Sequence, residues 1–173
     1  SSTNETQRRL LEYIRDSAVQ KFDATVFVLC FSDKHDDLNQ CRSYASPGNG
    51  YCIGYQSASL KMFAAYNRAR LGKCVYSGEK QEEVVNQLVA FFLDDLMGYF
   101  PFFGPGELNE GLIEKRAVLF WRYFQQVAPL FKHPAFAEEE EARIVLHLPA
   151  TSKDIKFRSG PMSIVPYVSL RQL

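Results

Sequence analysis

A hydroxyl and a row of carboxylates stand where an apolar run stops. Residues 24–31 read Ala-Thr-Val-Phe-Val-Leu-Cys-Phe, and Ser32 follows directly. Behind it come Asp33, Asp36, Asp37, Gln40, Arg42 and Tyr44, a polar stretch at the end of an expected strand. Much later, Glu139, Glu141 and Arg143 alternate on the way into another apolar run. Strand alternation sends residues i, i+2 and i+4 to one face, so these three side chains share a side. An arginine beside two carboxylates keeps them ionised. Ionised carboxylates fixed on one side of a strand fit a polar site. A charge-paired sheet edge without chemistry gives the same pattern, and the residues alone leave both readings open. Glu138 and Glu140, out of that register, read as solvated.

The other chemical residues carry plainer readings. Ser32 lacks the GxSxG frame of a nucleophile elbow, and a strand-end hydroxyl bonded to a turn backbone explains it. A serine hydrolase would need Ser32 and the distant His147 within hydrogen-bond reach. His35, His133 and His147 are scattered and make no zinc spacing, so no metal site is expected. Pro47-Gly48-Asn49-Gly50 reads as a turn and lacks the phosphate-loop frame. The cysteines Cys30, Cys41, Cys52 and Cys74 form no CxxC pair. Cys30 and Cys52 sit in apolar runs and are expected as buried, reduced thiols of a cytoplasmic protein.

Periodicity supplies the elements that must hold these groups. Residues 5–20 predict an amphipathic helix with Leu11, Ile14 and Ala18 on one face. Residues 24–31 predict a strand buried on both sides. A short helix within 33–45, capped by Asp36, and a strand over 51–56 come next. A helix over 57–69 is capped by Ser57 or Ser59 and ended by Gly72, before a short strand from Lys73 to Tyr76. Two long helices, 79–98 and about 109–130, carry apolar residues at helical spacing, among them Val85, Leu88, Phe92 and Leu96, then Ile113, Ala117, Phe120, Phe124 and Val127. Between them lies the aromatic run Tyr-Phe-Pro-Phe-Phe, expected to plug the core or to meet a partner. Strands over 143–148, 154–157 and 163–168 close the chain, the last two joined by Ser159-Gly160-Pro161. The expectation is one α+β domain over 1–173, with a mixed or antiparallel sheet of about five or six strands and about four helices.

Composition narrows the function classes. Lys plus Arg and Asp plus Glu both number 20, so the net charge is zero. A general nucleic-acid footprint needs a basic surface, which this balance does not supply. No apolar run is long enough for a membrane span. The 173 residues suit a single core, with 46% of them hydrophobic.

Several fragments together resemble one family, the domain of unknown function numbered twenty-nine seventy-one. They are Cys30-Phe31-Ser32, Asp37-Leu38-Asn39-Gln40, Arg42, Tyr44 and Gly50-Tyr51-Cys52-Ile53-Gly54-Tyr55. Val75-Tyr76, Phe136 with Glu139, Glu141 and Arg143, then Arg158 and Val165-Pro166-Tyr167 complete the pattern over about 24–170. Cys41 and Ala142 stand where the family usually has tryptophan. Family members tend to begin with an upstream strand and an Asn-Asp-Pro segment. Neither occurs here, so an upstream N-terminal segment is expected to be missing. The family pattern looks like that of ADP-ribosyltransferases, which use an early His or Arg, a mid-chain Ser or Tyr and a late Glu. The resemblance implies NAD as cosubstrate, Ser32 and Glu141 (or Glu139) in the last two roles, and no candidate for the first. It also implies that Tyr51 or Tyr55 stacks on nicotinamide, with Asp37, Gln40, Arg42, Tyr44 and Arg143 lining the site. The implied setting is bacterial conflict or stress, with a macromolecular target. The competing expectation is a non-enzymatic binding or regulatory module that uses the aromatic loop 99–105.

Overall fold

In a computed structural model of the chain, residues 2–17, 24–35, 40, 51–98, 110–160 and 162–171 are described. In chain order the elements are α1 (Ser2–Ser17), β1 (Ala24–Ser32), α2 (Ser57–Tyr66), β2 (Arg70–Lys73) and α3 (Gly78–Met97). They continue with α4 (Glu110–Val127), β3 (Glu141–Pro149), β4 (Lys156–Ser159) and β5 (Ile164–Tyr167). The fold is α+β. Its contacts divide it into two compact units, Ser1–Phe22 with Ser77–Ala128, and Asp23–Tyr76 with Pro129–Leu173.

The first unit is helical. Leu10 and Ile14 of α1, Phe92 of α3, and Ile113, Ala117 and Phe120 of α4 form its buried core. The residues of α1 and of α4 repeat at three- or four-residue spacing, which places each set on one face of its helix. The buried face of α1 is set by Leu10 rather than Leu11, which is exposed. The ring of Phe92 meets Phe120 at 6.0 Å and Tyr123 at 5.7 Å, both edge-on. The Trp121 indole donates to the Ile14 carbonyl at 2.9 Å, so this buried nitrogen has a partner.

The second unit holds the strands. Among the described residues they make two antiparallel sheets, β1-β3-β2 and β4-β5, in place of one larger sheet. Pro166 gives a reason for the separation. It has no N–H to donate, and proline in a strand belongs at an edge. It faces Phe157 across the β4-β5 pair. Central β3 buries Ile144, Val145 and Leu146. Ala64, Ala69, Ile144 and Leu146 form the core, with Phe27, Phe31, Phe63 and Leu71 packed against it.

Several local expectations change. The strand β1 is not buried on both faces. It is a sheet edge, and Val26, Val28 and Leu29 are exposed. Residues 51–56 form no strand, and Cys52 there is exposed, as is Cys30. Both are free thiols outside the core. The cap of α2 is Gln56, with no side-chain bond, and not Ser57 or Ser59. That helix ends at Tyr66, where Arg68 turns the chain at φ 55°, and Gly72 lies inside β2 instead. A Cβ on Gly72 would stand 2.7 Å from Leu130 Cδ1, so close packing explains the glycine. The expected strand from Lys73 to Tyr76 is displaced toward Arg70, and Val75 makes only an isolated bridge to Phe131. The aromatic run 99–105, the turn 47–50 and most of 33–45 lie outside the described residues.

Candidate functional site

The site begins at a backbone corner. A short 3-10 helix, Pro134–Glu139, ends at Glu140, whose φ of 42° and ψ of 50° are left-handed. That turn delivers Glu141 into β3 opposite Ser32 of β1. Cys30 lies opposite Arg143 in the same ladder. Directly opposed residues of an antiparallel pair share a face, so Cys30, Ser32, Glu141 and Arg143 stand together. Three bonds clamp the corner. The Ser32 hydroxyl donates to the Glu139 carbonyl at 2.8 Å. The Asp33 amide donates to the Glu140 carbonyl at 3.0 Å. The Lys34 amide donates to Ser32 Oγ at 3.1 Å. On the β2 side, the Cys74 amide donates to the Glu141 carbonyl at 2.8 Å. The Glu141 amide donates to the Tyr76 hydroxyl, also at 2.8 Å.

A charge network fills this face. Arg143 grips Glu141 through Nε at 2.9 Å and Nη2 at 3.1 Å, and its Nη1 donates to the Pro129 carbonyl. Lys132 Nζ lies 2.5 Å from both Glu139 Oε2 and Glu141 Oε2. The same ammonium sits 5.1 Å from the centre of the Phe136 ring. Two cations and two carboxylates leave the network neutral. Glu141 is 7% exposed and Glu139 24%.

Titration follows from these contacts. Burial pushes the Glu141 carboxyl up, but bonds from Arg143, Cys30 and Lys132 outweigh it and hold it at about 2. Burial pulls Lys132 down, yet Glu139 and Glu141 leave it raised overall. Its bond to Glu141 raises Arg143 against the effect of burial. Burial, then the contact with Glu141, pushes the Cys30 thiol up to about 11. Cys30 is exposed as a residue. A thiol so raised stays neutral near pH 7 and is a poor nucleophile.

Ser32, Glu139, Glu141 and Arg143 are therefore brought together. Tyr55 is not with them: its ring meets Phe31 edge-on at 5.8 Å, and Phe31 points to the opposite side of β1 from Ser32. Tyr51 is 96% exposed. Gln40 is half-buried, while Asp37, Arg42 and Tyr44 lie outside the described residues. The hydrolase arrangement fails. His147 pairs with Val26, six residues from Ser32 along β1, or roughly 20 Å at strand rise. Three participants are not among the expected site residues: Cys30 and Tyr76, which appear in the family pattern without a site role, and Lys132. Alternation puts Cys30 on the face of Ser32 and is the signal that could have found it. Lys132 and Tyr76 arrive through long-range packing that no local spacing encodes.

An α+β chain with a neutral carboxylate–cation network at the end of a three-stranded antiparallel sheet is the class that fold and site define. The chain belongs to the family described as Protein of unknown function (DUF2971), whose model matches residues 40–144. The match covers Glu139, Glu141 and Arg143, with Ser32 and the closing segment outside it. No curated protein and no solved structure matches the chain. Among the described residues, no helix is long and apolar enough to cross a membrane.

Proposed function

We propose that the chain is an NAD-using enzyme of the ADP-ribosyltransferase kind, acting on a macromolecular target in bacterial conflict or stress. The observation that carries the reading is the pair Glu139 and Glu141 beside Ser32 at one sheet end, joined to Lys132 and Arg143. In the proposed reaction the bond between ribose C1′ and the nicotinamide nitrogen breaks. Its electron pair leaves with nicotinamide, and positive charge develops on the ribose. A lone pair of the target closes the new bond to C1′, and the target's proton passes to solvent. A fixed negative charge near the ribose favours that transition state over the ground state. The acid–base demand of this reaction is small.

The test is NAD bearing a label on its adenosine half, incubated with the chain and a bacterial extract. Expected are free nicotinamide and label on a macromolecule, both dependent on the chain. Neither product above a no-protein control, at micromolar chain over hours, overturns the reading.

A further inference from the structure

We infer that Glu139 is the carboxylate that meets the substrate, that Ser32 and Lys132 position it, and that Glu141 is an internal anchor. The inference deepens the transferase reading and rests on it. An ionised carboxylate offers about four acceptor sites. Three of those of Glu141 are taken, by two nitrogens of Arg143 and by Lys132. A ribose hydroxyl would meet both of its oxygens already in charge-assisted bonds, on a side chain only 7% exposed. Glu139 is different. Its side chain accepts from Lys132 through Oε2, and Oε1 has no protein donor among the described residues. It is also the more exposed of the two.

Its geometry is fixed without being closed. Ser32 holds the Glu139 carbonyl, and the Lys34 amide holds the Ser32 hydroxyl. Lys132 holds one carboxylate oxygen and leaves the other. A second observation points to the kind of ligand. Phe136 precedes Glu139 by three residues in the same 3-10 helix. Residues i and i+3 eclipse in that geometry, so ring and carboxylate stand on one side. Phe136 is 49% exposed and already carries an ammonium against its ring. An aromatic face beside a carboxylate suits a flat organic cation, such as the pyridinium of NAD.

The experiment uses the full chain and NAD, and reads nicotinamide release in the presence of a bacterial extract, together with melting temperature and carbodiimide labelling of the carboxylates of the purified chain by mass spectrometry. Glu139→Gln should lower kcat by about 10²–10³-fold, with KM and melting temperature little changed. Glu141→Gln should lower the melting temperature and cost less in kcat per folded molecule than Glu139→Gln. Ser32→Ala and Lys132→Met should lower kcat by up to about 10²-fold, with recovery in Ser32→Thr and Lys132→Arg. NAD should protect Glu139 from labelling. This last arm decides the matter if Glu141→Gln does not fold. Full kcat in Glu139→Gln, or turnover without protection of Glu139, overturns the inference and leaves the transferase reading intact. Protection without release overturns the transfer reaction and keeps Glu139 as the ligand-facing group. Neither release nor protection overturns both.

Discussion

Glu141 contributes to stability through its charge. Its folded value of about 2 lies below the ordinary 4.5. The contribution is therefore full above the unfolded value and is lost as pH falls from about 4.5 toward 2. The gap corresponds to roughly 3 kcal/mol. Melting temperature measured against pH should show a steep acid loss in the wild type and a shallower one in Glu141→Gln, the curves converging near pH 2. Equal slopes would show that the carboxylate is not held by the network. Lys132 is the sharper test of neutrality. Lys132→Met leaves Glu139 and Glu141 with one cation between them, and should cost about 3–5 kcal/mol by urea unfolding. Period-two alternation makes Glu139, Glu141 and Arg143 legible as a group from the order of residues alone. Which glutamate is closed off is not legible there, because that depends on Lys132 folding back from the segment after α4.

At the scale of elements, β1 carries the clearest lesson. Its run Val-Phe-Val-Leu-Cys-Phe is apolar at every position, which resembles a strand covered on both sides. Composition cannot distinguish that from a sheet edge, since the difference lies in which strands arrive from elsewhere. The helices are easier to read, because their inner faces are written in their own spacing. Gly72 shows the same limit in miniature: its place in the chain suggests a helix stop, and its reason is Leu130, distant in the chain and packed against it. Gly72→Ala should therefore cost about 1–3 kcal/mol through overpacking. The double variant with Leu130→Ala should lose less than the sum of the two singles. Additive losses in urea denaturation would remove Leu130 as the cause.

At the scale of the molecule, charge balance and chain order matter most. With zero net charge and a sequence pI near 6.8, mutual repulsion between molecules is weakest close to neutral pH. Light scattering should show a solubility minimum near pH 7, relieved at pH 5 or 9. A flat profile would show that net charge does not govern its association.

Each compact unit is also stitched from two separate stretches of chain. The ladder that builds the Glu141 corner joins Ser32 to a residue 109 positions later. On the ribosome, β1 and β2 emerge long before β3, the strand that lies between them. Loop closure of that length must precede any reward from pairing, which slows folding. A nascent chain stalled before residue 141 holds both flanking strands of the sheet without the centre. It should be sensitive to protease and bound by chaperones, while a chain extended past 149 gains protection in a single step.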